Sequence, residues 1–404
     1  MEQALQGNVD VKLAQARLQE AQANAGEARA GQLPSIGASG GVARVDPPGS
    51  VGSSAQYSVG GNVNWELDFF GRNRRASDAA AALVTASQAG VSAAQRVLTA
   101  EVATQYLNLR GLQQRLRVAQ EALMNQRESL RIVSARQELG RGTPLDVARA
   151  RALVEATEAS LPALQALVER ATFRLATLTG QTPRSVATTV AAPSGEARLL
   201  PTLPFADLGK VAAGTPQTLL QRRPDVRVAQ AQWVAASANT DVARADLFPR
   251  ISLTGLLGFT SNRLSNFGDA DSRNHSAGAF LTWPLLDFGR VRSRIAASEA
   301  RTLQALLVYE QTVLLALEET EGALAQFNRN IEQTQRLENA AIASEEAARL
   351  ARIRFEAGAS DFLTVLDSER SVLQARDALV QAQTGTVTSL VGVYRALGGG
   401  WAVQ

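Results

Sequence analysis

Two stretches decide how this chain folds. The first is Trp65-Glu66-Leu67-Asp68-Phe69-Phe70-Gly71-Arg72; the second, 218 residues on, is Trp283-Pro284-Leu285-Leu286-Asp287-Phe288-Gly289-Arg290. Each closes a segment of alternating polarity and opens a long run rich in Ala, Gln, Arg, Glu and Leu. Working outward, other landmarks recur in the same order. Asp10-Val11-Lys12-Leu13-Ala14-Gln15-Ala16 returns as Asp225-Val226-Arg227-Val228-Ala229-Gln230-Ala231, and Leu33-Pro34-Ser35-Ile36 as Phe248-Pro249-Arg250-Ile251, both at an offset of 215. Gly142 pairs with Gly358 at 216. Ordered self-similarity at nearly one spacing marks a duplicated structure.

The alternation before each decisive stretch has a period of two. Tyr57, Val59, Val63, Trp65 and Leu67 interleave with Ser58, Gly60, Asn62, Asn64 and Glu66; Ala277, Ala279, Leu281 and Trp283 interleave with Ser276, Gly278 and Thr282. That is a strand with one apolar and one polar face. Ile251, Leu253, Leu257 and Phe259 repeat it more weakly. Loops rich in Gly, Pro, Asp and Ser, from Asp46 to Ser54 and from Ser265 to Asn274, make each pair a hairpin. After each hairpin the period changes. Val102, Leu109, Leu116, Leu123 and Leu130 mark one heptad seam and Leu98, Leu112, Ala119 and Val133 the other, with Gln105 and Gln126 as polar exceptions. A helix of this length spans roughly 100 Å at about 1.5 Å per residue. It therefore reads as a coiled coil.

The chain thus divides into a first structural repeat over 1–179 (hairpin 33–68, long helix 73–139, tip turn 140–146, returning helix), an insert over 180–216, a second repeat over 217–397 (hairpin 249–287, long helix 290–356, tip turn 357–362, returning helix) and a tail over 398–404. The fold class is mainly α with a small β part. At the tips, Gly142 suits a left-handed cap, Thr143 an N-cap, and Pro144 a first helical turn; Gly358, Ser360 and Asp361 repeat the arrangement.

Composition narrows function. The 404 residues are 45% hydrophobic and 20% charged, with net charge +3, one histidine and no cysteine. Disulfides and thiolate metal sites are excluded, and the lone His275, read as a loop residue near a strand start, makes no His-pair site. Charges of both signs interleave along the helices, so nucleic acid is not a partner. Gly398-Gly399-Gly400 lacks a phosphate-loop context, no nucleophile, base and orienter set stands out, and no cofactor is called for. The chain reads as no enzyme. No apolar run reaches a transmembrane helix. Met1 leads directly into helical sequence, which leaves either a cytoplasmic protein or a precursor whose start is missing.

Four strands cannot close a barrel, and an open sheet with an apolar outer face exposes edges. Three copies supply about twelve strands, an even number in the outer-membrane range. Trp65 and Trp283 then fall at one membrane interface as an aromatic girdle. The competing reading is a soluble sandwich with buried Trp.

The sequence resembles the outer membrane efflux protein family, TolC-like, and most its OprM/NodT-type lipoprotein branch. The motifs are the two stretches quoted first, Arg222-Arg223-Pro224-Asp225-Val226-Arg227, Leu247-Phe248-Pro249-Arg250-Ile251, and Tyr394-Arg395-Ala396-Leu397-Gly398-Gly399-Gly400-Trp401. The resemblance implies a homotrimer with a β-barrel in outer-membrane lipid and an α-helical tunnel through the periplasm of a Gram-negative bacterium. It implies an equatorial domain for the insert. It also implies a periplasmic membrane fusion (adaptor) protein and an inner-membrane pump of the resistance-nodulation-division type as partners. The branch carries a signal peptide and a lipid-modified Cys; a lipid anchor is implied by resemblance only, its Cys being absent from this chain.

The same resemblance places a pore constriction at Asp367, nine residues past Gly358. Thr364 stands where some members carry a second acid. The plain alternative is an ordinary solvated helix residue. Gly142, Thr143, Pro144, Leu145, Gly358, Ala359, Ser360 and Phe362 are the adaptor-contact candidates at the tips, against turn chemistry or, for Leu145 and Phe362, packing. Gly71, Arg72, Gly289 and Arg290 are read as strand–helix junction residues, the glycines for backbone geometry. The implied function is a passive exit channel of a tripartite efflux pump for drugs, metals or other small molecules. The alternatives are the outer-membrane duct of a type I protein secretion system and, more remotely, a soluble coiled-coil scaffold.

Overall fold

The computed structural model describes residues 1–45, 54–183, 185 and 220–399. Most of the insert, the first hairpin loop and the end of the tail lie outside them. A short helix α1 (Glu2–Gly7), which the sequence reading did not separate, precedes α2 (Val9–Ala30). Then come β1 (Ser35–Val45), β2 (Ser54–Leu67), α3 (Arg72–Glu138) and α4 (Pro144–Leu178). The second repeat supplies α5 (Pro224–Ala245), β3 (Arg250–Ser261), β4 (Arg273–Thr282), α6 (Arg290–Glu356) and α7 (Phe362–Ala396).

The two repeats match element by element. Both α2 and α5 have 22 residues, both α3 and α6 have 67, and both α4 and α7 have 35. The offset is 215 through the first helix and first strand and 218 from the second strand onward. Under these offsets the hairpin registers also coincide: Gly37 opposite Asn62 becomes Ser252 opposite Phe280.

The chain forms two compact units. One comprises Ala14–Val91 and Asp225–Thr312 and contains the sheet. Its four strands run in the order β1-β2-β3-β4, every neighbour antiparallel. β4 starts at Arg273, so His275 is a strand residue and not a loop residue, and the second hairpin loop, with its two 3₁₀ turns, ends earlier than the composition indicates. β4 stops at Thr282, because Pro284 cannot donate to a ladder; Trp283 stands just past the strand.

The other unit comprises Met1–Leu13, Ser92–Pro224 and Val313–Gln404, and its described residues are helical. Its heptad seams are its core: Leu98, Val102, Leu109, Ala119, Leu123 and Val133 are buried. Two buried polar residues tie each repeat's start to its end. Asn8 donates from Nδ2 to the Leu178 carbonyl at 3.1 Å while its Oδ1 accepts from the backbone of Asp10 and Val11, capping α2. At the equivalent position Arg223 donates to the Ala396 carbonyl at 2.9 Å and to Glu319 at 2.7 Å. Burial works against the Glu319 charge, but bonds from Arg223 and Arg395 outweigh it and hold its carboxyl below the ordinary value. Among the described residues no helix is long and apolar enough to cross a membrane.

Within the sheet-bearing unit one carboxylate gathers four elements. Asp246, directly after α5 and 7% exposed, accepts from Arg72 at 3.3 Å, from Arg294 at 2.6 Å and from Arg250. Burial pushes its pKa up, but the arginine hydrogen bonds prevail and hold it below the ordinary carboxylate value. A depressed folded-state pKa gives stability that is complete above the unfolded-state value and lost as pH falls through the folded one. Asp246→Asn is therefore expected to lower unfolding stability by about 1–3 kcal/mol, less than a fully buried pair because the arginines are partly exposed. The difference between wild type and variant should shrink below about pH 4, as thermal unfolding scans across pH will show.

Candidate functional site

The sheet's register separates its residues cleanly by chemistry. Cross-strand partners share a face. Ile36 lies opposite Val63, Val63 opposite Gly255, and Gly255 opposite Ala277. One face therefore carries Ile36, Val42, Tyr57, Val59, Val63, Trp65, Leu67, Ile251, Leu253, Leu257, Phe259 and Leu281. The other carries Ser39, Ser58, Asn62, Asn64, Glu66, Ser252, Thr254, Thr260 and Ser276, with Leu256 and Phe280 as apolar exceptions. From Tyr57 to Leu67 the apolar face runs about 33 Å at about 3.3 Å per residue. At the roughly 40° tilt of a closed barrel that is a band about 25 Å tall, the thickness of a membrane barrel's apolar belt. Arg44, opposite Ala55, bounds the band at the loop end, and on the edge strand β4 Arg273 and His275, opposite Phe259 and Leu257, make it shorter.

At its other end stand the tryptophans. Trp65 donates from Nε1 to the Gln32 carbonyl at 3.1 Å, and Trp283 to the Leu247 carbonyl at 3.0 Å. Gln32 and Leu247 are equivalent positions, so both indoles fasten the turn that enters the sheet while leaving their rings exposed. Gly71 and Gly289 follow with φ of +75° and +87°, where a side chain would be strained. Asp68 and Asp287 accept backbone N–H groups of the long helices' first turns. The bond from the Val291 N–H is the main reason that the Asp287 carboxyl lies below its ordinary pKa. Beyond them Phe70 stacks on Phe248 at 4.8 Å, and Arg72 reaches Asp246, whereas Arg290 is exposed.

The helical unit presents the two tips together. Val133, Ala150, Leu153, Ala351, Phe362, Val365 and Leu366 form one buried cluster. The glycine assignment needs correction. The left-handed residue after α3 is Gly140, with φ +73°, matching Gly358 at +72° after α6. Arg141 N–H bonds the Arg136 carbonyl and Ala359 N–H the Arg354 carbonyl, each at 2.8 Å, so both helices end in the same Schellman-type turn. Gly142 serves close approach instead: a Cβ there would meet the Gln137 nitrogen at 3.1 Å. Thr143 caps α4 in a reciprocal box with Asp146, and Pro144 opens the helix.

The adaptor-contact candidates divide. Phe362 is 4% exposed and packs against Phe355, so it is a core residue of the tip and presents nothing to a partner. Leu145 is 55% exposed. Thr143, Pro144, Gly358 and Ala359 are exposed, and Gly142 and Ser360 half-buried. Thr364 is occupied locally: its Oγ1 and N–H both donate to the Asp361 cap, at 2.6 and 3.2 Å, and these bonds hold the Asp361 carboxyl below its ordinary value. Asp367 is exposed on α7.

With the geometry established, comparison with known proteins gives the class. The outer membrane efflux protein family matches residues 1–181 and 215–399. The chain is 33% identical over 405 residues to the pyoverdine export outer membrane protein OpmQ of Pseudomonas putida, covering 97% of this chain and 83% of that protein. It is 32% identical to the outer membrane protein OprJ of Pseudomonas aeruginosa, with 99% and 83% covered. The solved outer-membrane channel OprN superposes with a TM-score of 0.89 at 40% identity, over 99% of this chain and 89% of that one. The chain belongs to the outer membrane efflux protein family. Its fold is that of TolC-like efflux channels, and its place is the outer membrane.

The tip turns give a direct test. Gly140→Ala and Gly358→Ala should each cost about 1 kcal/mol by forcing a side chain into the left-handed region. Hydrogen exchange is expected to rise at the altered tip, and an unchanged rate would contradict the assignment.

Proposed function

We propose that three copies of this chain close one cylinder that serves as the passive outer-membrane exit duct of a tripartite efflux pump. In this reading the apolar sheet face meets lipid and the Ser/Thr/Asn face lines a water-filled lumen. The long helices carry the conduit through the periplasm, about 100 Å for 67 residues at about 1.5 Å each. A periplasmic adaptor docks at the exposed tip residues and, with an inner-membrane pump, opens the channel. The duct catalyses no reaction and passes small molecules; pyoverdine export by OpmQ is in keeping with such cargo.

One observation carries the proposal: β1 and β4 are free edges of a sheet whose interior seam is already a repeat-to-repeat contact. Backbone groups left unpaired in lipid cost several kcal/mol each, so the edges must find partners. The internal seam specifies how. Gly61 faces Leu257 across β2 and β3, and their equivalents are Ala279 and Val42. A neighbouring copy therefore sets its Val42 opposite Ala279, in antiparallel register, with both side chains on the apolar face. The match extends to Phe288 and Leu33, the equivalents of the stacked pair Phe70 and Phe248; both are strongly exposed in one chain.

Ala279→Cys combined with Val42→Cys should yield disulfide-linked dimers and trimers on non-reducing gels. Ala279→Cys with Ser39→Cys, three residues off register and on the opposite face, should not. Equal crosslinking of both pairs would refute the seam.

At the tip, Asp367 is assigned to the constriction as a ring of three carboxylates on the channel axis, which favours cations. Asp367→Ala is expected to reduce cation preference and raise closed-state conductance in planar bilayers. An unaltered conductance and selectivity would remove Asp367 from the constriction.

A further inference from the structure

The helical unit holds a cavity of about 310 Å³ among α3, α6 and α7. Its chemistry is unlike that of the surrounding coiled coil. Gln126 occupies a seam position where heptad spacing calls for an apolar residue, and it is only 2% exposed. Neither its amide oxygen nor its amide nitrogen has a protein hydrogen-bond partner. Glu369, across the cavity on α7, is 7% exposed. Its Oε1 accepts from Ser129 Oγ at 2.7 Å and from Arg352 at 3.0 Å, whereas its buried Oε2 has no protein partner. Buried polar atoms are paired in nearly all folded proteins, so two such side chains on one cavity call for a partner, and their two oxygens for a common donor.

The neighbouring cations do not supply it. Arg349 is held by Glu346 at 2.6 Å, and Arg376 by Glu121 at 3.3 Å and by Glu345. Arg352 already serves the other oxygen of Glu369. The rest of the wall is mixed: Val118, Ile353, Val372 and Leu373 are its large apolar members, and Asn125, Glu345 and Glu356 add polar groups. Apolar walls with a few convergent polar atoms are the general make-up of a small-molecule site.

We propose that this cavity binds a small amphiphilic organic cation. A primary ammonium donates to Glu369 Oε2 and to the Gln126 carbonyl oxygen, and its apolar body lies against the valine, isoleucine and leucine walls. An ammonium has three donors and no acceptor, which fits the two unpartnered oxygens; the Gln126 amide nitrogen, itself a donor, is left to an acceptor other than the ammonium. The site lies wholly within the helical unit of one chain, so it stands independently of the seam between copies.

The test is calorimetric titration of phenethylammonium into the purified full-length protein in detergent, with 2-phenylethanol as a neutral ligand of similar shape. Saturable binding at one site per chain is expected, with the alcohol at least about tenfold weaker. Glu369→Gln and Gln126→Leu, checked for native helix content, should each weaken the ammonium at least about tenfold. Absence of saturable binding, which would leave the cavity to water, overturns the proposal, as does equal affinity for the alcohol. Unchanged affinity in both folded variants would overturn it as well. The comparison of amine with alcohol uses the unaltered protein and stands even if a variant fails to fold.

Discussion

A strand edge placed in lipid has no water to pair with, and everything else in this protein answers to that constraint. Among the described residues each chain makes four antiparallel strands whose two outer edges are unpaired. One face is mainly apolar over the height of a bilayer, interrupted on β4 by Arg273 and His275, and the other is mainly polar. Such a sheet cannot be satisfied by its own chain: the helices do not cover its faces, since residues such as Ile36, Val42 and Leu257 remain largely exposed. Even strand number resolves the geometry. Strands β1 and β4 run in opposite directions, so copies placed side by side continue the antiparallel order and any number of them closes without a parallel mismatch.

The duplication makes that closure specific. Its two halves agree in helix lengths and in hairpin register, and also in single hydrogen bonds. Trp65 with Gln32 matches Trp283 with Leu247, and Asn8 with Leu178 matches Arg223 with Ala396. The anchor survives although its chemistry changes from amide to guanidinium, because the carbonyl to be satisfied stays in the same place. Where the halves differ, the difference is local. Asp246, Arg250 and Arg294 have no counterpart in the first repeat, where Gly31, Ser35 and Ala76 occupy the corresponding positions. The contact of first with second repeat inside one chain is therefore ionic and aromatic, while the proposed contact between copies would bring Phe288 to Leu33 without a carboxylate.

Period and punctuation made most of the fold readable in advance. Alternation marked the strands, heptads marked the long helices, and glycine followed by a capping residue marked the tips. What escaped depended on spacing finer than such patterns resolve, or on distance in sequence. Gly140 and Gly142 are two residues apart with equal claims to a left-handed turn, and only the backbone shows that Gly140 matches Gly358. Phe362 beside an exposed turn looks like a contact residue until the facing helix supplies Phe355. Composition placed His275 in a loop because Arg273 and Asn274 are polar, yet both are strand residues on a rim. The Asp246 cluster joins positions 72, 246, 250 and 294, a set that no local pattern assembles.

The central claim is that a single chain supplies one part of a closed cylinder. Sedimentation of the purified protein in density-matched detergent, which reports protein mass alone, tests it most directly. The account requires three chain masses in one particle that stays in solution only with detergent. A stable particle of one chain mass, soluble without detergent, would contradict it.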